Sequence, residues 1–124
     1  MNKKKENSFI KFIKGFHYAA KGIWKTARSE RNFKIHLIIV PMVVVAGFIL
    51  SVSAVEWTVI VLAMGLVLSA EMFNTAIESL VDMVSPEYEK SAGRIKDIAA
   101  GAVLVTAVAA AIVGVIIFGP KILG

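Results

Sequence analysis

The stretch EMFNTAIESLVD, residues 71–82, places carboxylates and an amide inside a segment that otherwise has the composition of a membrane helix. At about 3.6 residues per turn, its polar residues fall on one side of a helix, in a stripe about 16 Å long. They are Glu71, Asn74, Thr75, Glu78 and Asp82. Ionisable groups inside a bilayer cost kilocalories each and commonly mark functional sites. The stripe therefore predicts a polar site built into a membrane helix.

The composition indicates a small integral membrane protein. The chain has 124 residues, of which 57% are hydrophobic, whereas soluble domains contain about 45–50%. This length allows one domain, over residues 1–124. Cysteine is absent, so disulfides and thiolate metal sites are excluded.

The distribution of apolar residues predicts an all-α fold with four helices. Residues 8–29 have apolar side chains at i, i+3 and i+4 spacing and lysines on the other side, a pattern typical of an amphipathic interfacial helix. Three further segments are each near the ~20 residues that a bilayer crossing requires. These predicted transmembrane spans cover residues 35–52, 57–84 and 98–118, approximately.

Basic residues are concentrated at the start of the chain and in one predicted loop. Ten of the 14 lysines and arginines precede residue 35, and three more lie in the loop over residues 85–97. The loop over residues 51–56 has none. By the positive-inside rule, the N-terminus and the second loop are cytoplasmic, and the C-terminus is outside after three crossings. The N-terminal charge is either a solvated face or an attraction to anionic lipid head groups, and no nucleic-acid partner is expected.

This topology brings further polar residues to the cytoplasmic end of the stripe. Glu30 ends the amphipathic helix, and Lys96 and Asp97 open the third span. Three spans hardly enclose a polar stripe, and the third span is rich in alanine and glycine, which allow helices to approach closely. A homo-oligomer with sites between protomers is therefore expected.

The side chains of this site suit phosphoryl transfer. Mg²⁺ takes oxygen ligands, often one or two carboxylates together with phosphate oxygens. A carboxylate partly shielded from water suits a general base, and a lysine can meet a phosphate as a point charge. The combination favours transfer from a cytoplasmic nucleotide to a membrane-embedded alcohol. Because the chain has neither a G-x-x-x-x-G-K-[ST] motif nor a kinase-type glycine-rich loop, metal and basic side chains would have to hold the phosphates.

Two longer motifs resemble those of a known family. E-x-x-N-[ST]-A-I-E-x-x-x-D over residues 71–82 and S-x-G-R-x-K-D over residues 91–97 are similar to the small prokaryotic diacylglycerol kinase and undecaprenol kinase family. K-G-[IL] at residues 21–23 and E-x-x-F at residues 30–33 also match, so the resemblance covers nearly the whole chain. It implies a homotrimer in the bacterial inner (plasma) membrane, with composite cytoplasmic sites between protomers. It also implies transfer of the γ-phosphate of ATP, with Mg²⁺, to a lipid hydroxyl.

The resemblance implies roles for single residues. Glu71 matches the candidate general base, and Asn74 matches a residue of the catalytic cluster. Glu30 and Glu78 match metal-binding carboxylates. The implied nucleotide contacts are Lys11, Tyr18, Glu30, Glu78, Asp82, Lys96 and Asp97. Glu71 and Arg94 are the implied contacts of the lipid substrate.

His36 bears on the choice of acceptor lipid. It stands where diacylglycerol kinases carry a glutamate, and E-R-N-F-x-I-H over residues 30–36 looks more like the undecaprenol kinases of Gram-positive bacteria. Undecaprenol, converted to undecaprenyl phosphate, is therefore the expected acceptor. For His36 itself, a hydrogen bond to a neighbouring residue is expected rather than an acid or base role.

Two alternatives to an undecaprenol kinase remain open. One is a diacylglycerol kinase that makes phosphatidic acid. A more distant one is a small oligomeric transporter or channel, because intramembrane carboxylates also serve cation coupling. Against it, residues 57–70 offer only Thr58 and Ser69 as polar groups, too few for a conduit.

Overall fold

The computed structural model describes residues 7–87 and 89–124, and over these ranges the chain forms four helices. They are α1 (Ser8–Ser29), α2 (Arg31–Ile49), α3 (Ala54–Val84) and α4 (Lys90–Leu123). The predicted all-α fold is confirmed. The lysines at positions 3–5, part of the predicted basic N-terminal segment, lie outside the described residues.

Three of these helices are long and apolar enough to cross a membrane. α2, α3 and α4 have 19, 31 and 34 residues, and a crossing takes ~20. Many of their apolar side chains face outward, as Phe48 and Val105 do. A membrane protein is therefore indicated, because such a surface is suited to lipid or to other helices rather than to water. The exact segments that cross, and the single domain over residues 1–124, stay predictions.

α1 occupies the range that the apolar spacing predicts. Asn7 caps its start, where Oδ1 accepts a hydrogen bond from the Phe9 N–H at 3.1 Å. Its aromatic side chains are exposed, and the rings of Phe12 and Phe16 meet edge to face at 5.1 Å. Exposed aromatic residues beside lysines are suited to a membrane interface, where an apolar body and a charged head both find a favourable environment. That location for α1 stays a prediction.

Glu30 is the break between α1 and α2. Its backbone is extended, with φ −100° and ψ 117°, and its N–H donates to the Thr26 carbonyl at 2.9 Å. Thr26 and Phe33, on either side of the break, are buried, Phe33 to 2% exposure. The buried corner fixes the position of Glu30 between the two helices.

The connection between α2 and α3 is a tight turn over residues 50–53. The Val52 N–H donates to the Gly47 carbonyl at 3.1 Å, and Ser51 has a φ of 54°, which together make a Schellman-type helix end. Ser53 and Glu56 then form a capping box at the start of α3. Residues 50–52, which hydropathy assigns to the end of the first span, are thus turn because these end motifs set the bounds of the helices.

One packed apolar cluster lies at this same end of the molecule. Val52, Ile60 and Ile117 form a buried cluster that joins the turn to the last part of α4. Beside it, Lys121 on α4 pairs with Glu56 on α3, with Nζ 3.1 Å from Oε1. α3 packs chiefly against α4, and α2 lies against α3. The turn and the C-terminal part of α4 therefore hold the three long helices in register.

α4 begins earlier than the sequence predicts. Residues 85–97 are predicted as a loop, but α4 starts at Lys90, and the Gly93 N–H already donates to the Glu89 carbonyl at 3.0 Å. Glycine within a helix costs only about 1 kcal/mol relative to alanine. Gly93 therefore does not prevent α4 from starting at Lys90. Arg94, Lys96 and Asp97 therefore lie on the first two turns of α4 rather than in a loop.

Gly47 provides a test of how tightly α2 and α3 meet. A Cβ at this position would lie 2.7 Å from Cζ2 of the Trp57 indole and closer still to its Cη2 atom. Gly47→Ala should therefore lower the free energy of unfolding by about 1–3 kcal/mol, the usual cost of overpacking. The measurement is SDS-titrated unfolding in detergent micelles.

Gly65→Ala is the matched control, because a Cβ there meets nothing within 4 Å. It should leave the stability unchanged or raise it by up to about 1 kcal/mol through helix propensity. Equal effects of the two substitutions would contradict a close approach at Gly47.

Candidate active site

Glu71 is a charged side chain held inside the helix assembly. It is 4% exposed, and the Nε2 atom of His36 on α2 lies 3.5 Å from its Oε1 atom. The distance allows an ion pair but is longer than an ordinary hydrogen bond. Thr75 donates its hydroxyl to the Glu71 backbone carbonyl at 3.0 Å. Because a buried carboxylate is costly without partners, the imidazole on the facing helix is a significant neighbour.

Asn74 and Glu78 form a second polar pair, one turn apart on α3. The Asn74 Nδ2 group donates to Glu78 Oε1 at 3.3 Å. The other amide atom, Asn74 Oδ1, is buried without a hydrogen-bond partner. Buried polar atoms are nearly always paired in folded proteins. An unpartnered amide oxygen beside a carboxylate is therefore a candidate ligand position.

This pair fits a divalent cation in its donor atoms. Mg²⁺ prefers oxygen, and it commonly takes one or two carboxylates and completes its shell with phosphate oxygens and water. Asn74 Oδ1 and the Glu78 carboxylate supply such oxygens. Over residues 7–87 and 89–124, no group of three or more His, Asp or Glu side chains is gathered closely enough to hold a metal by itself.

Asp82 and Lys96 form a third pair, which joins the end of α3 to the start of α4. The Lys96 ammonium donates to Asp82 Oδ1. The Lys96 and Asp82 side chains are 38% and 65% exposed. A pair this exposed contributes only about 0–1 kcal/mol to stability. Its main consequence is to hold a lysine at the exposed end of the stripe.

An open groove runs along the first turns of α4. It has a volume of about 610 Å³, and its lining includes Lys90, Ser91, Arg94 and Asp97. Two basic side chains at a helix N-terminus, where the backbone N–H groups carry partial positive charge, favour anions such as phosphate. The helical start of α4 thus places Arg94 and Asp97 beside one another near the Asp82–Lys96 pair.

A separate cavity of about 340 Å³ lies between α2, α3 and α4. Except for His36, its lining is apolar and comes from all three helices, for example Val40, Val67 and Ala111. His36 therefore borders both this cavity and the Glu71 carboxylate. An apolar space beside a buried carboxylate is suited to the chain of a lipid whose polar group meets that carboxylate.

Not every predicted site residue is joined to the stripe. Glu30 is half-buried at the break between α1 and α2, and no hydrogen bond or ion pair links it to Glu78. Lys11 and Tyr18 are exposed on α1, and no hydrogen bond or ion pair links them to α3 in the described part of the chain. The single chain thus assembles Glu71, Asn74, Glu78, Asp82 and Lys96 but leaves the α1 residues apart.

The contact between His36 and Glu71 is the feature that sequence reasoning missed. A hydrogen bond from His36 to some neighbour is predicted, but not this partner. Counted from the turn that joins α2 and α3, the two residues differ in depth by about one helical turn, roughly 6 Å. A long side chain covers that distance, but similar depth does not determine which faces of α2 and α3 meet, so spacing alone does not indicate the pair.

Comparison with known proteins places this chain in a family. The model of the prokaryotic diacylglycerol kinase family matches residues 17–118. An undecaprenol kinase of Bacillus subtilis is 43% identical over 98% of this chain and 98% of its own length. A diacylglycerol kinase of Escherichia coli K12 is 33% identical over 84% of this chain and 85% of its own length. The predicted resemblance is confirmed, and with it the enzyme class, a phosphotransferase with a lipid alcohol as acceptor. The chain belongs to the prokaryotic diacylglycerol kinase family.

Proposed function

We propose that the protein uses ATP to phosphorylate the hydroxyl of undecaprenol at the cytoplasmic side of the membrane. The observation that carries this acceptor is the 43% identity to an undecaprenol kinase over 98% of both chains. The presence of His36 in the 30–36 motif supports the same choice. Within the structure, the apolar cavity beside Glu71 supports a lipid alcohol as substrate.

Glu71 is the general base in this proposal. Its carboxylate is shielded from water, and its neighbour His36 lines an apolar cavity from which the hydroxyl end of a lipid can approach. A base at hydrogen-bonding distance from the lipid hydroxyl takes its proton as the oxygen attacks the γ-phosphorus of ATP. Because little water reaches this carboxylate, solvent does not compete with the lipid hydroxyl for hydrogen bonds to its oxygens.

Glu78 and Asn74 hold Mg²⁺ in this proposal, and Glu30 contributes from the break between α1 and α2. The unpartnered Asn74 Oδ1 atom next to the Glu78 carboxylate supports this assignment. When bound with ATP, the metal neutralises charge on the phosphates. These side chains fix the position of the phosphates relative to Glu71, one to two turns away on the same face of α3.

The start of α4 binds the nucleotide in this proposal. Lys96 meets a phosphate oxygen as a point charge, while Asp82 holds its ammonium in place. Asp97 in the adjoining groove meets a polar group of the nucleotide. Arg94, in the same groove, lies close to the membrane surface and contacts the head of the lipid.

Lys11 and Tyr18 complete the nucleotide site from α1 in this proposal. Both are exposed, and in the described part of the chain neither has a hydrogen bond or ion pair to the stripe. We therefore place them, with Glu30, at an interface between protomers of a homotrimer. The half-exposed stripe and the small residues of α4 support such an interface, since close packing of a second copy would exclude water from Asn74 and Glu78.

The proposed orientation puts the N-terminus and the active site in the cytoplasm of a bacterial cell and the C-terminus outside. The uneven distribution of lysine and arginine supports it. Glu78, Asp82 and Lys96 lie towards the α3–α4 connection, where three basic residues cluster, so the site is on the side where ATP is available.

Phosphate transfer from γ-labelled ATP tests the proposed acceptor. Purified protein in mixed micelles should phosphorylate undecaprenol at least about tenfold faster, as kcat/KM, than diacylglycerol at equal mole fraction, since tenfold corresponds to about 1.4 kcal/mol of differential transition-state binding. A preference for diacylglycerol would show that diacylglycerol, and not undecaprenol, is the acceptor. No transfer to any lipid alcohol by folded protein would contradict the kinase itself.

Magnesium dependence tests the role of Glu78. Glu78→Gln keeps the size of the side chain but removes its charge, so saturation should require about tenfold or more Mg²⁺ at fixed ATP, in line with the usual cost of disturbing a metal site. The measurement is initial rate against Mg²⁺ concentration.

Glu87→Gln is the matched control, because this glutamate lies in the exposed segment between α3 and α4. It should leave the Mg²⁺ dependence unchanged. An identical curve for Glu78→Gln and wild type would show that Glu78 is not a ligand.

A further inference from the structure

We infer that His36 is a positioning residue for the Glu71 carboxylate, with its Nε2–H directed at Oε1 so that the other oxygen is left to take the proton of the lipid hydroxyl. The inference rests on the proposed function, because it requires Glu71 to act as the base. It adds a residue from a different helix to the catalytic arrangement.

The first support is the geometry of the contact. Nε2 of His36 lies 3.5 Å from Oε1 of Glu71, and the two residues come from different helices, α2 and α3. In the residues that the structure describes, no other side chain is in ion-pair or hydrogen-bond contact with this carboxylate. Catalytic hydrogen bonds are often long without substrate and shorten in the reacting complex. A distance of 3.5 Å is thus one from which a small rotation makes a hydrogen bond.

The second support is what surrounds the imidazole. The His36 side chain is 24% exposed and the Glu71 side chain 5%. The remaining lining of the adjacent cavity is apolar, including Ile39, Val40 and Val43 on α2. Within that environment the carboxylate is the polar group that the ring faces. Because an unpaired polar atom beside apolar side chains is costly, a hydrogen bond between the His36 ring nitrogen and the Glu71 carboxylate is favoured.

The chemical consequence is control of the orientation of the base. A carboxylate on a flexible glutamate side chain has several rotamers, and only some direct an oxygen at a given hydroxyl. A donor fixed on the facing helix selects among them without needing a positive charge, since neutral imidazole with its proton on Nε2 is sufficient. General-base catalysis contributes about 10²–10⁴-fold in rate. Loss of the orienting donor should forfeit part of that factor.

Two substitutions separate the donor from the volume of the ring. His36→Leu removes the donor and replaces the ring with an apolar side chain in the cavity lining. His36→Gln keeps an N–H donor at nearly the reach of Nε2. Leu should lower kcat for the lipid about 10- to 100-fold, with the KM for ATP within about twofold of wild type. Gln should restore kcat to within about threefold of wild type.

His17→Leu is the matched control for loss of an imidazole. His17 is exposed on α1 and is outside the proposed site. It should leave kcat unchanged. Unchanged kcat in His36→Leu, or an equal loss in His36→Gln and His36→Leu, would overturn the inference, because neither result is compatible with a donor that orients the base.

A measurement without turnover tests the contact itself. The unfolding midpoints of His36→Leu, Glu71→Leu and the double variant in SDS-titrated micelles form a double-mutant cycle, because leucine at either position removes the hydrogen-bonding partner. A direct contact predicts shifts that are clearly less than additive in the double variant. Additive shifts would overturn the inference.

These results are distinguishable from a failure of the proposed function. If wild type phosphorylates no lipid, or if Glu71→Gln is as active as wild type, the assignment of the base fails irrespective of His36. If wild type is active and Glu71→Gln is not, the proposed function stands, and the His36 variants alone decide the inference.

Discussion

The structure depends on one constraint, a carboxylate kept out of water inside an apolar helix bundle. Glu71 is 4% exposed on a helix long and apolar enough to cross a membrane. An ionisable group at such depth costs kilocalories unless the surrounding structure offers partners. The facing imidazole of His36 is the partner that the structure provides for this carboxylate.

The turn between α2 and α3, at the other end of these helices, determines how His36 and Glu71 are aligned. The turn over residues 50–53, with the Schellman-type end at Ser51 and the capping box at Ser53, fixes where α2 stops and α3 starts. Gly47 allows the Trp57 indole to lie directly against α2. Because helices are stiff, the register set at this end determines which residues meet about four to five turns away. Disturbing the turn should therefore be felt at the contact between His36 and Glu71.

The proposed nucleotide side of the site differs in solvent exposure from the proposed lipid side. Glu71 is buried, whereas Asp82 is exposed and Lys96 is partly exposed. The stripe thus runs from an apolar cavity to the water-exposed start of α4 along one face of α3. This gradient is what a kinase with one soluble and one membrane-embedded substrate needs, since each substrate approaches the same phosphorus from its own environment.

Much of this arrangement was predictable from the sequence because it depends on local spacing. The positions 71, 74, 78 and 82 share a helix face by periodicity alone, and the family match follows from the motifs that contain them. The bounds of α2 and α4 were predicted less well. Hydropathy identifies segments apolar enough for a membrane, but it does not identify the capping motifs at which a helix begins or ends. Residues 50–52 were therefore assigned to a span, and the first turns of α4 to a loop.

The partner of Glu71 was missed for a different reason. Spacing within one helix does not show which residue of another helix comes opposite, and that depends on the length of the turn between them. The contacts of Glu30, Lys11 and Tyr18 depend on α1 and on the proposed neighbouring protomers. They remain predictions for the same reason, since no pattern within a single helix determines them.

The activity of Glu71→Gln is the most direct test of the central claim, that a buried carboxylate on α3 is the base. Glutamine keeps the size and hydrogen-bonding atoms but cannot take the proton, so kcat for lipid phosphorylation should fall by about 10²–10⁴-fold. ATP binding should be retained. Glu87→Gln, at an exposed glutamate between α3 and α4, should keep most of the activity. Near-normal turnover by Glu71→Gln would contradict the account.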